Sequence, residues 1–284
     1  MPHAVVANAL AVVAAITYGA ADFLGGLATK RGSTVFSAVV CSQATGLVLV
    51  LLALPLLPRA SPTASDLAWG AASGLAGGIG LALLYRGLAV GVMSVVAPVT
   101  AVCAVIIPVG LGVAFGERPS GVAGVGVALA VVSIVLVSRS GEVEAGTRGR
   151  TGVPIAIASG VAIGIFLVCL ERTGPSAGLW PLVPARVVSV SFFAVAGLLA
   201  RESLLPRRES WRIVAGGGAL DMLANVLYLL AVRQGPLSIV ATLTSLYPAS
   251  TILLARIVLR ERLRLVQQAG VACAVLAIVL IVSG

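Results

Sequence analysis

Asp221, in LDMLANVLY, and Arg186, in PLVPARVVSV, each sit near the middle of a long apolar run. If those runs cross a bilayer, each charge alone costs at least about 2.5–3.5 kcal/mol, so both are functional candidates by default. Opposite charges at one depth on consecutive helices relieve each other, provided hydrogen bonds complete both. Two chemistries follow. Arg186 anchors an anionic group such as a carboxylate, or locks Asp221, and Asp221 carries a proton or binds a cationic group. Alternatively, the two form a static bridge that fixes helix register. Asn225 and Tyr228 follow Asp221 at helical spacing and extend its face into a polar wall.

Further candidates lie on other runs. Asp22 follows Tyr18 on the first run and either reaches a cavity or meets Lys30 and Arg31 at the run's end. Pro98 and Pro108 fall in the fourth run and Pro248 in the ninth. Proline removes a helical hydrogen bond, so all three are expected to break their helices. Breaks at corresponding places in two halves point to a transport site. Ser245 and Tyr247 flank Pro248, among Thr242, Thr244, Ser250 and Thr251. Their hydroxyls bond a solute or bond their own helix's carbonyls.

The elements that must position these groups follow from composition. The chain of 284 residues is 59% hydrophobic and 10% charged, against about 25% charged for soluble domains. Lipid must therefore be its main solvent. Ten spans are read at about 5–26, 34–56, 66–86, 92–115, 120–138, 153–172, 177–200, 211–232, 236–259 and 264–283. The expected class is an all-α integral membrane protein.

The net charge of +9 does not indicate nucleic acid. The basic residues sit in short connectors, where they fix orientation and meet lipid headgroups. Loops after odd-numbered spans hold thirteen of them, including Lys30, Arg31, Arg139, Arg207 and Arg212. The opposite side holds four: Arg59, Arg118, Arg172 and Arg233. That bias argues for both termini outside the cytoplasm, in a membrane of the bacterial inner-membrane type. No basic stretch precedes the first run, so it reads as a retained helix and not a cleaved signal.

Catalytic and cofactor chemistry finds little support. The four cysteines fall in separate runs, and His3 is the lone histidine; no metal or redox set is formed. No phosphate-binding loop is present, which argues against ATP-driven transport by this chain. Gly70, Gly74 and Gly78, with Gly77 and Gly80 beside them, read as close helix packing. No cofactor and no enzyme activity are expected.

A polar stretch near the midpoint reads as a linker, 139–152, between halves 1–138 and 153–284. Sliding the chain by 144 residues superposes Glu117-Arg118 on Glu261-Arg262, Gly126-Val127-Ala128 on Gly270-Val271-Ala272, and Gly91, Ser94 and Thr100 on Gly235, Ser238 and Thr244. An odd number of spans per half inserts the second copy upside down, giving a 5+5 inverted repeat. Glu117 and Glu261 each precede a helix and are expected to cap it.

GERPSGVAGVGVALAVVSIVLV and LRERLRLVQQAGVACAVLAIVLI each resemble the closing helix of an EamA-type repeat. The chain as a whole is similar to the drug/metabolite transporter superfamily. The resemblance implies a secondary transporter that moves a small polar or amphipathic metabolite or drug by alternating access, with export the expected direction. It implies that the third and eighth spans line the central cavity, which turns the Asp221 face toward it. Protons are the candidate coupling ion, and the chain is expected as a monomer or homodimer. A lipid-linked sugar flippase of the same fold, or a non-transport membrane protein, is the alternative.

Overall fold

The computed structural model describes residues 2–90, 93–118, 120–139, 142–259 and 265–283. These residues are almost wholly helical, with no strand among them. The helices are α1 (Pro2–Lys30), α2 (Val35–Ala53), α3 (Ala64–Val90), α4 (Met93–Ala114), α5 (Gly121–Arg139), α6 (Glu142–Glu171), α7 (Leu182–Leu199), α8 (Trp211–Val232), α9 (Leu237–Thr244), α10 (Tyr247–Leu259) and α11 (Leu265–Ser283). Among the described residues, six helices are long and apolar enough to cross a membrane: α1, α2, α3, the Gly152–Glu171 part of α6, α7 and α8. Their outward faces carry large aliphatic side chains such as Leu52, Ile16 and Leu198, each more than half exposed. Backbone polar groups find no partner in lipid, and helices satisfy them internally.

α6 begins at Glu142 and so takes in most of the stretch 139–152. One expectation is corrected here. Pro98 and Pro108 do not break the fourth span, since α4 runs unbroken through both. A proline costs a helix one bond, and a membrane helix packed among neighbours absorbs that loss. The ninth span does break, but just before Pro248. α9 ends at Thr244, and α10 resumes at Tyr247 with Pro248 in its first turn, a position where the missing N–H is harmless.

Small residues let the helices approach. Along α3, Gly70, Gly74 and Gly78 face α7, where an added methyl would strike the carbonyls of Pro181 and Ala185 and the side chain of Ser189. Gly77 and Gly80 face Phe166 and Ile163 of α6. One helix thus packs two neighbours through two glycine rows. Gly218 of α8 rests on the backbone of Ser42 in α2. Besides α3 against α6 and α7, the main pairings are α1 with α8, α4 with α6, α2 with α7 and α8, α5 with α11, and α1 with α9 and α10.

Polar clamps hold the helix ends. Thr63 and Asp66 form a capping box at the start of α3. Asp66 also accepts from the Gly174 N–H at 2.6 Å, while Arg233 donates to the Gly174 carbonyl at 3.1 Å. One peptide segment after α6 is thereby gripped from α3 and from the end of α8.

Glu117 behaves differently from the expectation that it caps the helix following it. Its carboxylate accepts from the backbone N–H groups of Leu237 and Ser238 at 2.7 and 2.9 Å. It caps α9, a helix 120 residues away in sequence, where the free N–H groups and helix dipole favour an anion. Glu261 lies outside the described residues.

Two substitutions test this packing. Gly74→Ala is expected to destabilise by about 1–3 kcal/mol, read as earlier thermal unfolding in detergent, whereas Gly124→Ala meets nothing within 4 Å and leaves unfolding unchanged or later. Glu117→Ala is expected to cost about 1–2 kcal/mol and to speed amide exchange in the first turn of α9; unaltered exchange there would refute the capping role.

Candidate functional site

The structure brings Arg186 and Asp221 together. An Arg186 Nη2–Asp221 Oδ2 contact of 2.7 Å joins α7 to α8, with side chains 7% and 13% exposed. Gln43 of α2, which the sequence reading did not select, accepts from Nη1 through its Oε1. One turn further along α2, Gly46 faces the Arg186 Nε, so its missing side chain leaves the guanidinium its place. Nε itself is buried without a hydrogen-bond partner. Three helices therefore converge on one cation, the hydrogen-bonded completion that a buried pair requires.

This pair lies on the wall of a cavity of about 740 Å³, open space at its mouth included. Tyr18, Asp22, Asn225, Ser245 and Tyr247 line the same cavity, together with Gln43, Ser73 and Thr244. The wall draws on α1, α2, α3, α6, α7 and α8 and on the break between α9 and α10. Asp22 is 8% exposed and has no hydrogen bond or ion pair among the described residues, while Lys30 and Arg31 stand exposed beyond it. Of the two alternatives for Asp22, the cavity is the one observed.

Tyr228 is the exception. It shares the Asp221 face but lies nearly two turns further along α8, fully buried, and its hydroxyl donates to the Leu167 carbonyl of α6 at 2.9 Å. It ties α8 to α6 and is not among the lining residues, although Leu167 is. Among the described residues, Pro108 and Pro248 are not in the lining either.

Several buried polar atoms at the cavity lack partners among the described residues. Asn225 donates from Nδ2 to the Asp221 carbonyl at 2.6 Å, which leaves its Oδ1 free. The hydroxyls of Tyr18, Thr244 and Tyr247 are likewise unpartnered. Thr242, Ser250 and Thr251 instead bond carbonyls of their own helix, and the last two also reach Ala15 and Gly19 of α1. The hydroxyls around Pro248 thus divide between helix fastening and an open polar wall. At the break, Leu246 N–H turns to the Leu243 carbonyl and Pro248 has no N–H, so the Thr242 and Thr244 carbonyls lose their helical donors.

Among the described residues no group of His, Cys, Asp or Glu could hold a metal ion. What the arrangement offers is a polar patch of one acid pair partner, one free acid and several orphaned acceptors within an otherwise apolar pocket. Such pockets suit small solutes.

Removing one member of the buried pair strands the other. Asp221→Ala is expected to destabilise by about 3–5 kcal/mol, and Arg186→Met with Asp221→Leu to recover most of that loss, measured by unfolding in detergent. A single variant as stable as the parent would show that Gln43 and Gly46 suffice to hold the guanidinium.

Comparison with known proteins extends this picture. No curated protein matches the chain. One solved structure, described only as the crystal structure of a protein, is 16% identical to it, with a TM-score of 0.70, covering 94% of this chain and 95% of that one. At that identity the likeness is one of fold, and it spans both halves. Residues 150–283, which carry Arg186, Asp221, Asn225, Ser245 and Tyr247, match the EamA-like transporter family. The match covers just under half of the chain, so through this segment the chain is similar to the EamA-like transporter family.

Proposed function

We propose that the protein is a secondary transporter that moves a small polar or amphipathic metabolite or drug across the cell membrane by alternating access, in the direction of export. The observation that carries this reading is the cavity: charged and orphaned polar groups from both halves of the chain surround one space of solute size. A chain solvated by lipid has no structural need to leave such acceptors unpaired. The reading includes ten spans arranged as a 5+5 inverted repeat, with halves 1–138 and 153–284 and both termini outside the cytoplasm.

The packing supports the repeat. A two-fold axis relating span k to span k+5, with α9 and α10 counted as one broken ninth span, sends the α1–α8 contact onto α6–α3. It sends α4–α6 onto the contact of α9 and α10 with α1, and α2–α8 onto α7–α3. The pairs α2–α7, α4–α9 and α5–α11 map onto themselves. All of these contacts occur. Together with the 144-residue offset, this pattern is what two inverted copies packed face to face would generate.

In this scheme the cavity is exposed to alternate faces as the halves rock. Arg186 and Asp221 stay paired when the site is empty and exchange contacts with the solute when it arrives. Gln43 keeps the guanidinium aimed while that exchange occurs.

The test is a panel of amino acids, organic cations, sugars and organic acids, screened first by thermal stabilisation and then by uptake into proteoliposomes. Solute-dependent uptake is expected for at least one class. The charge-swapped pair Arg186→Asp with Asp221→Arg is expected to fold, yet to lose uptake about tenfold or more, since one charge-assisted hydrogen bond is worth that much. Full uptake by the swapped protein would mean a static bridge. No uptake of any class by the folded parent would sink the transporter reading.

A further inference from the structure

We propose that the cavity takes a monocation, a protonated amine on an apolar or aromatic body, and that Asp22 rather than Asp221 is its counter-ion. This rests on the cavity being the solute site of the proposed transporter. It begins from charge. Among the described residues, Asp22, Arg186 and Asp221 are the charged ones lining the cavity. Arg186 and Asp221 neutralise each other at 2.7 Å. Asp22 is left over, 8% exposed and without an ion pair or hydrogen bond among the described residues. An isolated carboxylate in an apolar surrounding is costly, and a single positive charge brought by the solute removes that cost.

The neighbouring groups specify more than charge. An ammonium carries only donors, three N–H bonds in all. Among the orphaned atoms at the cavity, Asn225 Oδ1 can only accept, the hydroxyls can accept as well as donate, and Arg186 Nε can only donate. Asn225 Oδ1 is left as an acceptor because Nδ2 is committed to the Asp221 carbonyl. The Thr244 and Tyr247 residues, 2% and 5% exposed, have hydroxyls with no partner and two lone pairs each. An anion would meet an arginine whose two terminal nitrogens are already engaged by an amide and a carboxylate, and would add to the unneutralised charge of Asp22, whereas an amine meets a free acid and free acceptors.

Packing on α1 brings one aromatic ring close to Asp22: Gly25, about one turn after it, is pressed by the ring of Tyr85 of α3, while Gly19, about one turn before it, meets the Tyr247 carbonyl and Ser250 of α10. The Tyr247 side chain lines the cavity. Tyr18 is one turn before Asp22 and lines the cavity. Rings beside a carboxylate favour a cation with an apolar body, through cation–π attraction and burial of the body. A bare inorganic cation would leave the apolar part of the wall unused.

The experiment is calorimetric titration of the purified full-length protein with phenethylamine, its neutral counterpart phenethyl alcohol, the anion phenylacetate, and sodium ion. Phenethylamine is expected to bind about tenfold or more tightly than the other three, and Asp22→Asn to weaken it by a similar factor. Asp22→Glu is expected to retain binding. Equal binding of the alcohol or the anion, or of the amine by a folded Asp22→Asn protein, would overturn the assignment. So would sodium binding that matches the amine. If Asp22→Asn does not fold, Tyr247→Phe decides: a several-fold loss for the amine alone supports the site, and an unchanged amine affinity overturns it. A folded parent that binds none of the four also overturns it, while uptake of another solute class in proteoliposomes would leave the transporter reading standing.

Discussion

A guanidinium held between a carboxylate and an amide, within a protein whose outer surface is aliphatic, sets the terms for the rest of this molecule. Arg186 carries a charge that lipid does not solvate, so protein must supply what water would have given. Asp221 and Gln43 supply it from two other helices. That demand fixes α2, α7 and α8 against each other at one depth. The glycines follow from it: Gly46 makes room for the guanidinium, and Gly218 lets α8 come down onto α2. The cavity is the space left on the other side of this junction.

Much of this was legible in the sequence. Counting residues from the ends of apolar runs placed Arg186 and Asp221 at a common depth, and consecutive helices made them partners. The four-residue spacing of Gly70, Gly74 and Gly78 pointed to close packing, and the structure assigns it to α7. Asn225 was legible on the polar wall from its four-residue spacing to Asp221, whereas for Ser245 and Tyr247 the sequence left a solute contact and a bond to their own helix both open.

The failures share a physical origin: a partner distant in sequence. Gln43 looked unremarkable because a neutral amide in a helix carries no insertion cost large enough to single it out, and its value appears only beside Arg186. Tyr228 has the right angular position, but its hydroxyl is taken up by the Leu167 carbonyl of α6. Glu117 has the local pattern of a cap for the helix it precedes, yet the exposed N–H groups it meets belong to α9. Pro98 and Pro108 were read by the bond a proline removes, and α4 tolerates that removal within a packed bundle.

The break between α9 and α10 places Ser245 and Tyr247 where the backbone is least held by its own hydrogen bonds. α9 is pinned at its start by Glu117, and α10 is fastened to α1 through Ser250 and Thr251. Between two anchored rods, the residues at the joint are also residues of the cavity wall. In the proposed transporter a solute in the cavity would load the joint directly, and a change in bend angle would alter the space around it, so that recognition and leverage would fall on the same few atoms.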